Sequence, residues 1–235
     1  MTTLLTKIER TLSFGLPHID SAFPGFRIGE FAVLYGQSLV KTLTFMLSVR
    51  CQFSTEESGL NSTVIYLDGG NTFDPYAISA IAQQNEVDPR ATLEKIFVSR
   101  AFTAYQLSAL IFETLENALK EYGSKLVLIS DVLSLFMDSD VPTKEALAIF
   151  SKAVHYLSEL AAKRKAIVIA SFFPSEQLRR RFSLESTLLE GASTTVKVQK
   201  SKGIVQFSLE KHPFLKPFII DIEPNAATLE RFVEA

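Results

Sequence analysis

The stretch that most constrains the fold runs from residue 31 to residue 44, FAVLYGQSLVKTLT. Its first five residues are apolar and predict a buried strand, which Gly36 ends. Lys41 and Thr42 then open a segment whose apolar residues have helical spacing, namely Leu43, Met46, Leu47 and Cys51. This is the outline of a phosphate-binding loop, in which backbone N–H groups cradle phosphates, Lys reaches the terminal phosphates and Thr holds Mg²⁺. Gly36, Lys41 and Thr42 are therefore candidate residues for binding ATP with Mg²⁺.

The loop departs from the complete pattern, G-x-x-x-x-G-K-[ST], in two ways. Only four residues separate Gly36 from Lys41, where the pattern has five, and Val40 stands in place of the second glycine. A β-branched residue resists the backbone angles that glycine allows, and its Cβ crowds the space that a phosphate would fill. An ordinary strand, turn and helix that carries Lys-Thr by chance explains this stretch equally well, so both interpretations stay open here.

Composition and charge exclude several classes of protein. The 235 residues suit one large α/β domain, and the net charge of -2 gives no global basic field, so any nucleic-acid site must be local. The single Cys51 excludes an internal disulfide and fits a reducing cytosol. The chain shows no signal peptide and no apolar run that could span a bilayer, and its three histidines lack metal-ligand spacing. We expect a cytoplasmic protein without a membrane segment or a metal site.

Strands and helices alternate along most of the chain. Predicted strands cover residues 31–35, 63–68, 95–98, 125–129 and 166–170, and predicted helices follow Lys41 and cover 75–84, 105–122 and 143–163. Three extended runs with no helix between them come last, at 194–200, 203–211 and 218–222. This order predicts an α/β fold with a mainly parallel sheet, flanking helices and an antiparallel edge. We expect residues 1–235 to form a single domain, with a lead-in segment at 1–29 and C-terminal antiparallel strands within 193–224.

Four stretches resemble one family in the same order. Residues 66–75, YLDGGNTFDP, resemble the pattern Y-I-D-T-E-[GN]-T-F-R-P, and residues 99–102, SRAF, resemble R-A-[FY]. Residues 192–195 read A-S-T-T, and the glycines at 15, 25 and 29 resemble the approach to that family's phosphate loop. Over roughly residues 12 to 224 the chain resembles the core ATPase domain of the RecA/RadA recombinases, especially archaeal RadA, RadB and their paralogues. The resemblance implies a RecA-like P-loop NTPase core.

The departures from that family fall on its catalytic positions. Gly70 stands where the family has the Glu that positions the attacking water, and Ser130 stands where it has the Asp that orders Mg²⁺. Phe172 stands at the Gln that senses the γ-phosphate. Asp131 follows Ser130, and because neighbouring side chains in a strand face opposite ways, we do not expect it to substitute. The resemblance therefore implies a pseudo-ATPase with no catalytic residue of its own, in which ATP and Mg²⁺ are weak candidate ligands.

The family binds single-stranded DNA through two loops. Here the first, residues 137–142, is acidic and would repel phosphates. The second, residues 171–191, contains Arg179, Arg180, Arg181 and Phe182, and basic residues beside an aromatic ring suit a DNA backbone with base stacking. A surface helix from about 177 to 189 that carries a solvated charge run explains the same residues, so these four stay candidates.

Three hypotheses follow for function. The first is an accessory recombinase paralogue that has lost ATP hydrolysis and acts in homologous recombination or DNA repair, through a RadA-type recombinase or another paralogue and through single-stranded DNA. The second is a slow ATPase of the RadB or KaiC-like kind that recruits a carboxylate from Glu30, Asp68 or Asp131. The third is a structural interaction subunit without DNA binding. An F-x-x-A spacing at residues 150–153 lies on a helix stripe, so we expect core packing rather than filament assembly.

Overall fold

The structure, a computed structural model, describes residues 10–174, 182–201 and 204–222. Two short strands, β1 (Thr11–Leu12) and β2 (Phe26–Arg27), pair antiparallel in the lead-in segment. The main sheet contains β3 (Phe31–Gly36), β4 (Val64–Asp68), β5 (Ile96–Arg100), β6 (Leu126–Ser130), β7 (Ile167–Phe172), β8 (Thr194–Ser201), β9 (Ile204–Lys211) and β10 (Phe218–Ile222).

The eight strands lie in the order β10-β9-β8-β3-β7-β6-β4-β5. The strands from β8 to β5 pair in parallel, whereas β9 and β10 add antiparallel pairs at one edge. The predicted fold class is therefore confirmed. One detail differs, because the first of the three late strands, β8, lies parallel to β3.

The helices are α1 (Pro17–Asp20), α2 (Leu39–Arg50), α3 (Pro75–Gln84), α4 (Pro89–Leu93), α5 (Ala104–Ala109), α6 (Leu115–Glu121), α7 (Thr143–Arg164) and α8 (Phe182–Gly191). A π-helical turn, Leu110–Thr114, joins α5 to α6, so the predicted helix at 105–122 contains a local irregularity. Asp74 starts α3 by accepting the Tyr76 and Ala77 N–H groups at 3.0 and 3.1 Å, with Pro75 in the first turn.

Each face of the sheet has its own apolar core. On one face, α2 and α3 pack on the strands together with Phe14, Phe23 and Phe26, and the rings of Phe14 and Phe23 also contact Phe207 of β9. On the other face, α5, α6, α7 and α8 cover the strands. Phe150 and Ala153 are buried in this second core, as the helix stripe predicts. Among the described residues, no helix is both long enough and apolar enough to cross a membrane.

Candidate functional site

The candidate site lies at the edge where the parallel strands end. Gly36 ends β3, Asp68 ends β4, Ser130 ends β6 and Phe172 ends β7. Asp68 lies opposite Ser130 on one side and Arg100 on the other. Ligands of open α/β sheets bind at this carboxyl edge, so the fold brings the sequence-predicted positions to the expected place.

The predicted phosphate loop forms a tight turn. Gly36 has φ +135°, and a Cβ there would overlap the Val198 carbonyl oxygen of β8. The Gln37 N–H donates to that oxygen at 3.0 Å, the Val40 N–H donates to Gln37 O at 2.9 Å, and the Lys41 N–H donates to Ser38 O at 3.0 Å. Three backbone donors of the loop are thus bonded within the protein. They are the kind of group that a phosphate-binding loop directs at its ligand.

The side chains of this turn face their own helix and the core. Val40 is fully buried, which explains why a residue with a Cβ is accommodated where the family has glycine. The Lys41 Nζ lies 5.6 Å from the centroid of the Phe45 ring, one helical turn along α2. Thr42 is partly buried beside Lys41 in the first turn. Gly36, Lys41 and Thr42 therefore lie together at this edge, around a turn rather than an open cradle.

Asp68 is the centre of a hydrogen-bond cluster. Its fully buried carboxylate accepts the Thr72 and Phe73 N–H groups at 2.8 and 3.2 Å, the Ser130 hydroxyl at 2.9 Å and the Arg100 Nε at 3.1 Å. Burial raises the pKa of Asp68, but these hydrogen bonds and the Arg100 charge outweigh it and hold the pKa below 3.8. Ser130, at the position of the family's Mg²⁺-ordering Asp, is one of the donors. Asp68 therefore fixes the loop after β4.

Gly70 and Asp131 share one space. A Cβ at Gly70 would lie 2.6 Å from the Asp131 Cβ and 2.9 Å from its Oδ2. The strand-alternation argument does not apply to Asp131, because β6 ends at Ser130 and Asp131 has a left-handed φ of +47°, which turns it out of the strand pattern. Burial, with a smaller effect of Asp68, raises the pKa of Asp131. Asp131 thus brings a carboxylate to the position where the family's Glu side chain would begin.

Phe172 places an aromatic ring where the family has an amide. It stacks on Tyr35 of β3 with the ring centroids 4.8 Å apart and the planes at 7°, and both rings are buried. The Tyr35 hydroxyl donates to Glu210 Oε2 of β9 at 2.6 Å, and burial together with this carboxylate raises the pKa of Tyr35. The contact joins three strands through side chains and leaves no amide at this position to sense a phosphate.

Glu30 lies at the opposite end of β3 from the turn. Its buried carboxylate accepts the Arg27 N–H at 2.7 Å and the Thr194 hydroxyl, and burial raises the pKa of Glu30. At about 3.3 Å per residue, the length of β3 separates Glu30 from Gly36 by about 20 Å. Of the three carboxylates considered for a slow ATPase, Glu30 is too distant, Asp68 is engaged, and Asp131 remains at the site.

The two candidate DNA loops differ in how far the structure describes them. Asp138 and Asp140 are exposed in the loop before α7, and the Asp140 N–H donates to Asp138 Oδ1 at 3.0 Å. Arg179, Arg180 and Arg181 lie outside the described residues, and α8 begins at Phe182. Within the described parts of the chain, no group of three or more His, Cys, Asp or Glu side chains could hold a metal ion.

Sequence reasoning missed the residues that close the turn. Gln37 carries no recognisable signal, because its partners lie on β8 in the late part of the chain. Arg100 could have been found, since the resemblance covers the stretch SRAF and a buried Asp at the end of β4 needs a cation or several donors.

Comparison with models of known protein families gives a match over residues 11–172, to the family described as Rad51. The match covers more than half of the chain. It runs from β1 to the end of β7 and includes the turn after Gly36, the Asp68 cluster, the Gly70–Asp131 contact and Phe172.

Proposed function

The chain belongs to the Rad51 family of RecA/RadA recombinases, and from this premise we propose that it is an accessory paralogue that has lost ATP hydrolysis. Family membership supports a recombinase-family role in DNA recombination and repair. We propose that residues 1–235 act as a single RecA-like core in the cytoplasm, and that the protein works by binding other proteins and single-stranded DNA.

One observation carries the loss of hydrolysis, namely the closed turn after Gly36. Phosphoryl transfer depends on positioned donors, Mg²⁺ and an oriented water rather than on covalent chemistry by the protein. The N–H groups of Gln37, Val40 and Lys41 are bonded inside the protein, so binding phosphates would require breaking these bonds. Gly70 supports the same conclusion, because it has no side chain with which to orient a water.

A phosphate-release assay on the purified protein with ATP and Mg²⁺ tests this proposal. We expect turnover at background, unchanged in Lys41→Ala, because the Lys41 Nζ lies over Phe45 on its own helix. The matched control is Lys144→Ala, which removes an exposed lysine near the start of α7. Turnover that Lys41→Ala abolishes and Lys144→Ala leaves intact would disprove the proposed loss of hydrolysis.

A second candidate function, a slow ATPase of the RadB or KaiC-like kind, is favoured by the position of Asp131. Its carboxylate lies where the side chain at position 70 would begin, and burial raises its pKa, the direction that favours a general base. Asp131→Asn separates the two functions. It would abolish a genuine slow turnover, whereas background phosphate release would stay the same.

The proposed protein partner is a RadA-type recombinase or another paralogue, in a hetero-oligomer. Val98 lies on the edge strand β5, Phe102 and Tyr105 follow that strand closely in the chain, and all three large apolar side chains are exposed. Such side chains are typical of a protein-binding surface. Co-purification from the native host, with wild type and Phe102→Ser as baits, tests this. A recombinase-family protein retained by wild type and lost with Phe102→Ser is the expected result, and capture of no such protein argues against it.

The proposed DNA contact runs through Arg179, Arg180, Arg181 and Phe182. With a net charge of -2, attraction to phosphates must come from a local patch, and this is the densest basic run in the chain. Fluorescence anisotropy with a labelled single strand at two salt concentrations should show modest binding that falls steeply with salt. Changing the three arginines to Ala should abolish it, whereas changing Lys152, Lys163 and Lys165 to Ala should not. Absence of wild-type binding at low salt would favour the third hypothesis, a structural interaction subunit without DNA binding.

A further inference from the structure

Gln37 lies between the end of β3 and the start of α2, and its side-chain and backbone carbonyl groups each accept a different N–H. In a parallel ladder, a residue donates its N–H to one residue of the neighbouring strand and accepts from the residue two positions further on. The Gln37 N–H donates to Val198 O at 3.0 Å, so Lys200 is the next donor of the ladder. The Lys200 N–H donates instead to the Gln37 side-chain Oε1, at 2.5 Å.

The backbone carbonyl of Gln37 is thereby released for the helix. It accepts the Val40 N–H at 2.9 Å in the turn that leads into α2. One residue thus satisfies both the ladder of β8 and the first turn of α2. The Lys200 N–H and the Gln37 side chain are both exposed, so this bond adds the modest net stability of an ordinary hydrogen bond, and it holds the turn without any ligand.

A second contact ties the end of β3 to the same part of the chain. Tyr35, two residues before Gln37, donates its hydroxyl to Glu210 of β9 at 2.6 Å. Gly36, between them, lies against the Val198 carbonyl with no room for a Cβ. Three successive residues therefore bind the C-terminal arm, defined here as β8, β9 and β10.

We propose that Gln37 is a latch that holds the phosphate loop closed and joins it to the C-terminal arm, so that neither responds to ATP. This inference rests on the proposed function, because it explains how a recombinase-family core keeps one conformation without nucleotide. It adds a regulatory consequence, namely that partner binding and DNA binding are independent of ATP.

Hydrogen–deuterium exchange on the full chain tests the latch directly. Gln37→Leu keeps the size of the side chain and removes the acceptor, so exchange at the Lys200 amide should rise about tenfold, the loss expected for one hydrogen bond. Gln37→Glu keeps an oxygen in place and should exchange like wild type. Gln199→Leu is the matched control, because the Gln199 side chain bonds only to that of Gln206 among the described contacts.

The latch is refuted if Gln37→Leu exchanges at Lys200 like wild type, or if Gln37→Glu exchanges as fast as Gln37→Leu. A thermal melt checks that each variant folds. If Gln37→Leu does not fold, Gln37→Asn gives the same comparison, because its side chain is one methylene too short to reach the Lys200 N–H.

Adding ATP and Mg²⁺ to the wild type completes the test. We expect no change in exchange over residues 36–41 and 194–201, and protection of either segment by ATP would overturn the inference. The proposed function fails separately, through phosphate release. ATP turnover with unchanged exchange would refute the pseudo-ATPase but not the latch. Protection by ATP without turnover would refute the latch but not the pseudo-ATPase.

Discussion

The turn after Gly36 and the cluster around Asp68 lie at the same edge of the sheet, yet they have kept different parts of the family pattern. Asp68 retains its place and is surrounded by donors from Thr72, Phe73, Ser130 and Arg100. Compared with the pattern G-x-x-x-x-G-K-[ST], the turn is one residue shorter and has Val40 before the lysine, and its N–H groups bond within the protein. The two regions differ because one has a buried acceptor that needs donors and the other has donors that need acceptors. A carboxylate buried by its own chain always needs donors, whereas the N–H groups of a turn can find acceptors inside the protein without any ligand.

Gly36→Ala tests the turn and should have the largest effect. The new Cβ would overlap the Val198 carbonyl, and φ of +135° is strained for any residue with a side chain. We expect the free energy of unfolding to fall by about 3 to 5 kcal/mol in urea denaturation, from backbone strain and overpacking together. The control is Gly123→Ala, which has φ of +61° and open space around it, and should lose only about 1 kcal/mol. Equal losses of unfolding free energy in the two variants would show that position 36 is not in close contact with β8.

Asp68→Ala tests the cluster. It leaves several buried donors without an acceptor, and we expect a loss of about 2 to 4 kcal/mol at pH 7. The Arg100 side chain is 38% exposed, so water takes over part of its interaction and sets the lower end of that range. Asp88→Ala, which removes an exposed helix cap at Arg90, is the control and should lose about 1 kcal/mol.

The same variant gives a pH test of the cluster. The folded-state pKa of Asp68 lies below the unfolded value of 3.8, so its stabilising contribution is present above that value and is lost as the pH falls through the folded pKa. Urea denaturation of wild type and Asp68→Ala should therefore give curves that converge as the pH falls below 3.8. A constant difference down to the lowest pH that preserves the fold would contradict the assigned hydrogen bonds.

Gly70→Glu tests the border between the two regions. The new side chain meets Asp131, and we expect a loss of about 2 kcal/mol. In the double variant with Asp131→Gly the space is free again, and at least about 1 kcal/mol should return as coupling energy in a double-mutant cycle. Additive losses would mean that the two residues do not share the space.

Asp131→Asn should have the smallest effect. Burial raises the folded-state pKa above 3.8, so the carboxyl contributes stability that is complete below the unfolded pKa and is lost as the pH rises through the folded pKa. Replacing it with a neutral amide should stabilise the protein at pH 7 by up to about 1 kcal/mol and leave acid stability unchanged. Chemical denaturation at pH 3.5 and pH 7 measures both values, and destabilisation at pH 7 would indicate that the hydrogen bonds from Ser134 and the Phe173 N–H outweigh the effect of burial.

The sequence predicts the sheet well because buried parallel strands have an apolar pattern and end in turns, as at Gly36 and Asp68. It does not predict that β8 lies parallel to β3, because the stretch that contains α8 fits both a DNA loop and a surface helix, so no crossover helix between strands is predicted there. The sequence also does not predict the hydrogen bond that closes the turn, since Gln37 and Lys200 are 163 residues apart in the chain.

The strand-alternation argument fails at Asp131 for a local reason. Alternation of side chains holds inside a strand, and β6 ends one residue before Asp131, where the backbone takes a left-handed conformation. The short helix α4 was also missed, although Asp88 followed by Pro89 is a typical helix start and Asp88 accepts the Arg90 N–H at 3.0 Å.

The space shared by Gly70 and Asp131 has a consequence for how this protein can evolve. If the proposed loss of hydrolysis holds, a descendant that gained Glu at position 70 would also need a change at position 131 to avoid a strained contact, because a Cβ at position 70 would lie 2.6 Å from the Asp131 Cβ. The change at position 131 brings no catalytic benefit by itself, so selection for ATP hydrolysis would not favour it. Under the proposed function, the packing of a neighbouring strand end therefore hinders a return of that carboxylate in a single step.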